Sequence, residues 1–141
     1  MRKLSVSYTN TMERETKLTH ANCGLFGVSE DYIENYQSLD ERFVQNRSAT
    51  FFFEAQGDSM EPLIMAGDIL VIDRSKDVRS EKIAVVCLDG EFLCKRVVWD
   101  NSGKATLRSH NPLHRDIEIT QEMDFIVWGA IVAIARDTRE L

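Results

Sequence analysis

A serine on a tight turn can attack a carbonyl if a base takes its proton, and Gly57-Asp58-Ser59-Met60-Glu61-Pro62 reads as such a turn. Gly57 permits a sharp bend, and Asp58 followed three residues later by Glu61 reads as an N-cap pair opening a short helical turn. Ser59 then sits on the exposed first turn. The main-chain N–H groups of Ser59 and Met60 have no intrahelical partner there, so the turn that displays a nucleophile can also hold an oxyanion. A serine alone is no enzyme, and the informative partner lies in Glu91-Phe92-Leu93-Cys94-Lys95-Arg96-Val97.

Lys95 is judged from the hairpin that carries it. Lys82-Ile83-Ala84-Val85-Val86-Cys87-Leu88 reads as a strand, and Asp89-Gly90 after it is a strong two-residue hairpin signal. That loop sets Val86 opposite Leu93, Ala84 opposite Lys95 and Lys82 opposite Val97. Side chains alternate, so Lys95 shares its face with Leu93, Val97, Val86 and Ala84 while Arg96 takes the other. An amine among apolar neighbours loses hydration, its pKa falls, and the neutral form becomes available as a base. A strand lysine more often carries its ammonium out to water. The Ser59 turn decides for the base.

The elements that position these residues follow from the alternation and the turns. Thr50-Phe51-Phe52-Phe53 and Ile69-Leu70-Val71-Ile72 read as strands, the second entered through a turn at Gly67-Asp68. Trp99 to Lys104 is a polar turn, followed by short strands near Ala105 to Arg108 and Ile117 to Ile119. Phe125 to Ala135 reads as a last strand, apolar on both faces and therefore buried in the body or against another subunit. Asp31 to Phe43, with Tyr32, Ile33, Tyr36, Leu39 and Phe43, fits one amphipathic helical stretch. The fold class is mainly β, a compact body of short, mostly antiparallel strands. His110 and His114 have the spacing of a helical metal site, but Pro112 between them argues for a loop pair instead.

Before the body, residues 1–22 have apolar positions too sparse to bury much and read as a mobile arm. By segment, 1–23 reads as the arm, 24–45 as a linker and 46–141 as the body. About 45 residues precede the first convincing strand, too few for a DNA-binding domain plus a cleavable linker. The net charge of −6 disfavours direct nucleic-acid binding. Up to Cys23 four basic residues stand against Glu13 and Glu15, a net +2 that leaves −8 on the remainder. A basic arm on an acidic body is drawn back toward it. Cys23, Cys87 and Cys94 are odd in number and lack metal spacing, so neither a disulfide framework nor a zinc site is indicated and a reducing cytoplasm fits. No secretory signal opens the chain, and its longest apolar run falls short of the about 20 residues that cross a bilayer.

Gly57-Asp58-Ser59-Met60, Gly67-Asp68-Ile69-Leu70 and Gly90-Glu91-Phe92 followed by Lys95-Arg96 together resemble the LexA-type self-cleaving serine proteases. The short arm, Cys23-Gly24, Asp31-Tyr32 and Ser48-Ala49-Thr50-Phe51 resemble the UmuD branch of that family, the SOS mutagenesis proteins. The resemblance implies Ser59 as nucleophile, Lys95 as general base and Cys23-Gly24 as the bond the chain cuts in itself. Where that family continues with prolines after the cleavage site, this chain has Gly27-Val28-Ser29-Glu30. It further implies a homodimer, cleavage stimulated by a RecA filament on single-stranded DNA, and service to a UmuC-type Y-family polymerase in translesion synthesis. No cofactor, metal or membrane is implied. Signal peptidases also use Ser/Lys chemistry, but they are membrane-anchored. Two other classes compete: a LexA- or phage-type repressor with a reduced DNA-binding part, which needs a basic recognition helix, and a dimeric binding module with a dead Ser/Lys pair.

Overall fold

Runs of β-branched and aromatic residues cut by turn residues make most of the regular structure. The computed structural model describes residues 38–141 and, before them, the backbone of three strands: β1 (Arg2–Leu4), β2 (Lys17–Thr19) and β3 (Ile33–Tyr36). The chain forms two units, one of Met1–Val6 with Asn46–Leu141 and one of Ser7–Gln45.

In the smaller unit β2 and β3 pair antiparallel, with Leu18 opposite Asn35. Helix α1 (Leu39–Phe43) follows, its first turn capped by Ser38, whose Oγ accepts the Glu41 N–H at 3.1 Å. The single helical stretch expected over 31–43 is therefore corrected to a strand followed by a short helix. Tyr32, Ile33, Tyr36, Leu39 and Phe43 have helical spacing, but an N-cap serine starts a helix rather than continuing one.

The larger unit adds β4 (Thr50–Glu54), β5 (Ile69–Asp73), β6 (Lys82–Leu88), β7 (Glu91–Trp99), β8 (Ala105–Arg108), β9 (Ile117–Glu118) and β10 (Phe125–Ala135). With β1 they form a sheet in the order β1-β4-β5-β10-β6-β7-β8-β9, every neighbouring pair antiparallel. The chain is mainly β, as its alternation foretold. Within the expected arm, Arg2–Leu4 takes an edge position, with Lys3 opposite Phe53. Such pairing uses main-chain donors and acceptors, so it does not need the apolar side chains that the arm lacks.

Asp89 and Gly90 both have positive φ, 49° and 83°, as a two-residue hairpin loop matching the strand twist requires. The register follows: Val86 faces Leu93, Ala84 faces Lys95 and Lys82 faces Val97. The sheet is packed on both faces. Val85 and Cys94 join one cluster, with Phe53, Leu70 and Ile72, while Ala84, Val86 and Val97 join another, with Ala105 and Leu107.

Strand β10 is only partly covered by its own chain. Of its residues only Gly129 is buried, and Ile126 is 57% exposed. Trp128 and Ile131 pack against the first cluster and Phe125 and Val127 against the second, which leaves Ile126, Val132 and Ile134 uncovered. Gly129 lies at a bulge against β6, where a Cβ would meet Ile72 Cγ2 at 2.5 Å. Only glycine lets β10 come this close to β5 there.

Asp68 ties the chain behind the serine turn to the residue that follows β10. Fully buried, its carboxylate takes Arg136 Nε at 2.7 Å and Nη2 at 2.8 Å, and the Met65 N–H at 2.8 Å. The Arg136 hydrogen bonds hold its carboxyl below the ordinary value of 3.8 despite burial. Asp68→Ala removes these bonds and orphans the Met65 N–H, with an expected loss of about 2 kcal/mol. A group whose folded pKa is depressed stabilises above its unfolded pKa, so the contribution is present above pH 3.8 and fades as pH falls below it. Denaturation of both proteins across that range checks it: the gap between them should close in acid.

Candidate functional site

The serine turn begins where β4 ends. Gly57 has φ +79°, a left-handed conformation that a side chain would strain, and it turns the chain toward Asp58. One helical turn follows, closed by Ile64 N–H to Met60 O at 2.9 Å and by Glu61 N–H to Asp58 O at 3.1 Å. Met60 and Ile64 are buried in the first cluster and anchor the turn from below. Ser59 is left half-buried above them. Among the described residues, the N–H groups of Ser59 and Met60 donate to no other group. The capping pair expected of Asp58 and Glu61 is not formed. The Asp58 carboxylate instead meets His114 Nε2 at 2.7 Å, and the Glu61 N–H goes to the Asp58 carbonyl oxygen.

Lys95 comes from β7 and is only 8% exposed, on the face expected from the hairpin, across from Ala84. Its Nζ donates to Ser109 Oγ at 2.8 Å. Burial among apolar neighbours pulls its pKa below the ordinary 10.5. The Cys94 thiol, on the other face of the strand, is pushed up to about 12 by its own burial and stays neutral.

Ser59 and Lys95 line one cleft of about 90 Å³, with Gly57, Met60, Leu93 and Phe92 among its walls. Phe92 stands 38% exposed at the cleft and packs edge-on against Phe53 and Trp128, with centroids 5.4 and 5.5 Å away. A hydroxyl and a desolvated amine lining one cleft are the parts for base-assisted attack on a carbonyl. Cys23 and Gly24, in sequence between β2 and β3, lie outside the described residues.

Sequence reasoning missed the segment after β8. Ser109 holds Lys95, the His110 N–H points to Met60 Sδ at 3.3 Å, and Asn111 reaches the serine turn twice. Its N–H donates to Ser59 O at 2.9 Å and its Nδ2 to Asp58 O at 3.0 Å. Pro112 marked this stretch as a loop, and His110 and His114 do lie in it. The available signal was that the loop directly follows a strand that pairs with the Lys95 strand.

A family profile described as Peptidase S24-like matches residues 17–132. The chain is 30% identical over 112 residues to Protein ImpA of Salmonella typhimurium, covering 79% of this chain and 75% of that protein. It is 35% identical over 82 residues to Protein MucA of Escherichia coli, covering 57% of this chain and 56% of MucA. LexA repressor 1 of Xanthomonas campestris pv. campestris is 34% identical over 88 residues, which are 61% of this chain and 43% of the repressor. The match runs through the serine turn and the lysine strand, and the chain belongs to the Peptidase S24-like family, as a LexA-like protein of the UmuD type.

Proposed function

We propose that this serine peptidase cuts its own Cys23-Gly24 bond, with Ser59 as nucleophile and Lys95 as general base. Ser59 Oγ adds to the Cys23 carbonyl carbon as its proton passes to the neutral Lys95 amine. The N–H groups of Ser59 and Met60 receive the developing oxyanion. The bond to Gly24 breaks as the ammonium returns the proton to the Gly24 nitrogen, and water then hydrolyses the ester. What supports this reading is a half-buried serine and a desolvated lysine facing one cleft in a chain of this family.

Cleavage would separate residues 1–23 from the body. In the full reading this processing belongs to the SOS response to DNA damage: a RecA filament on single-stranded DNA stimulates it, and the processed homodimer serves a UmuC-type Y-family polymerase. The test is intact mass after incubation of the full chain with an activated RecA filament. A product beginning at Gly24 is expected, absent from Ser59→Ala. A stable product with a different N-terminus would remove Cys23-Gly24 from the mechanism.

A further inference from the structure

A base that must accept a proton from one defined hydroxyl needs its lone pair aimed as well as its charge removed. A neutral lysine amine has two N–H donors and one lone pair, on a stem with four rotatable bonds. Burial fixes the stem but leaves rotation about the last C–N bond free. Lys95 Nζ has one hydrogen-bond partner among the described side chains, the hydroxyl of Ser109 at 2.8 Å, and Ser109 is itself only 7% exposed.

The placement of Ser109 is set by the sheet. Strand β8 pairs with β7 with Arg108 opposite Arg96, so the residue after Arg108 arrives beside Lys95. The same short segment also grips the nucleophile's turn, through Asn111 to Ser59 O and Asp58 O and through His110 to Met60. Ser109, His110 and Asn111 thus hold base and serine turn from one piece of backbone.

We propose that Ser109 is a positioning residue for the base: its hydroxyl takes one N–H of the Lys95 amine and so keeps the nitrogen's lone pair off Ser109 and available for the Ser59 proton. The inference rests on the Ser59 and Lys95 roles proposed above. When the Ser59 proton arrives, the amine becomes an ammonium whose third N–H is free to protonate the leaving Gly24 nitrogen. Ser109 keeps its bond throughout and gains or loses no proton. Asp58 and His114 face each other, Arg108 is exposed, and the Cys94 thiol stays protonated.

Two measurements on the full chain test this. In the first, self-cleavage is followed by intact mass across pH for wild type, Ser109→Ala and Ser109→Thr. Loss of aim is expected to slow Ser109→Ala about 10- to 100-fold at the plateau, while Ser109→Thr, which keeps the hydroxyl, recovers most of the rate. In the second, Lys95 is titrated by carbon-labelled lysine NMR in uncleavable Ser59→Ala, with and without Ser109→Ala. An acceptor favours the ammonium, so its removal should lower the Lys95 pKa by about one unit, a change that a merely structural loss would not produce.

A Ser109→Ala chain that cleaves at the wild-type rate with the same pH profile, or a Lys95 titration that Ser109→Ala leaves unmoved, overturns the positioning role. If Ser109→Ala fails to fold, Ser109→Cys replaces it, since a thiol of similar shape is a poor acceptor. That variant should be slow, and a wild-type rate overturns the proposal. Failure of the underlying reading looks different: Ser59→Ala or Lys95→Arg then cleaves, whereas the NMR shift still reports whether Ser109 holds the amine.

Discussion

Lys95→Arg is expected to abolish self-cleavage, although it preserves the charge that lysine carries in water. A guanidinium stays protonated at any pH a protein survives, so it has no lone pair to take the Ser59 proton. Ser59→Ala should be equally inactive for the opposite reason, with a base but no nucleophile. Each single change should lower the rate by at least about 1000-fold, and the double variant should be no slower, because the two groups act as one unit. Lys95→Met separates chemistry from folding: it fits the apolar neighbours on β6 and β7 without a charge. Time courses by intact mass, with thermal unfolding recorded on each variant, provide the check. Appreciable cleavage by Lys95→Arg would mean that another group is the base.

The second large effect is on pH. Self-cleavage without any partner should rise about tenfold per pH unit while Lys95 is mostly protonated, then level off once the amine is mostly neutral. Burial lowers the Lys95 pKa from 10.5, so the levelling should come before that value. The same shift has a sign for stability: below pH 10.5 the unfolded chain holds a proton on this lysine more readily than the folded one. Folding is therefore penalised at neutral pH, and the penalty shrinks as pH rises toward 10.5. Initial rates from pH 5 to 10, with the fold monitored by circular dichroism, decide the matter. A flat or falling profile over that whole range contradicts a lysine base.

Local signals carried most of the fold. Asp89-Gly90 and the alternation around it were enough to pair Ala84 with Lys95, because turn chemistry and side-chain direction are properties of neighbours in sequence. The serine turn was legible for the same reason. What could not be read are contacts made by the sheet as a whole. Ser109 meets Lys95 only because β8 folds back on β7, and Asp68 meets Arg136 across 68 positions of chain. The apolar run of β10 announced a strand but not that Ile126, Val132 and Ile134 would lie uncovered, since periodicity does not say what packs on each face. At Ile33–Tyr36 the spacing matched a helix, and the capping preference of Ser38 was the stronger clue.

The hairpin loop, finally, decides which residue of β7 could serve as the proposed base. Strand side chains repeat every two residues, so lengthening the Asp89-Gly90 loop by one and slipping the pairing by one would reverse every side chain of β7. Lys95 would leave its buried face, and Cys94 and Arg96 would turn into it: a thiol and a permanently charged guanidinium. The strand could still pair and the chain could still fold. The proposed chemistry would be gone, removed by a change in the solvent-exposed loop and with both Ser59 and Lys95 still in the sequence.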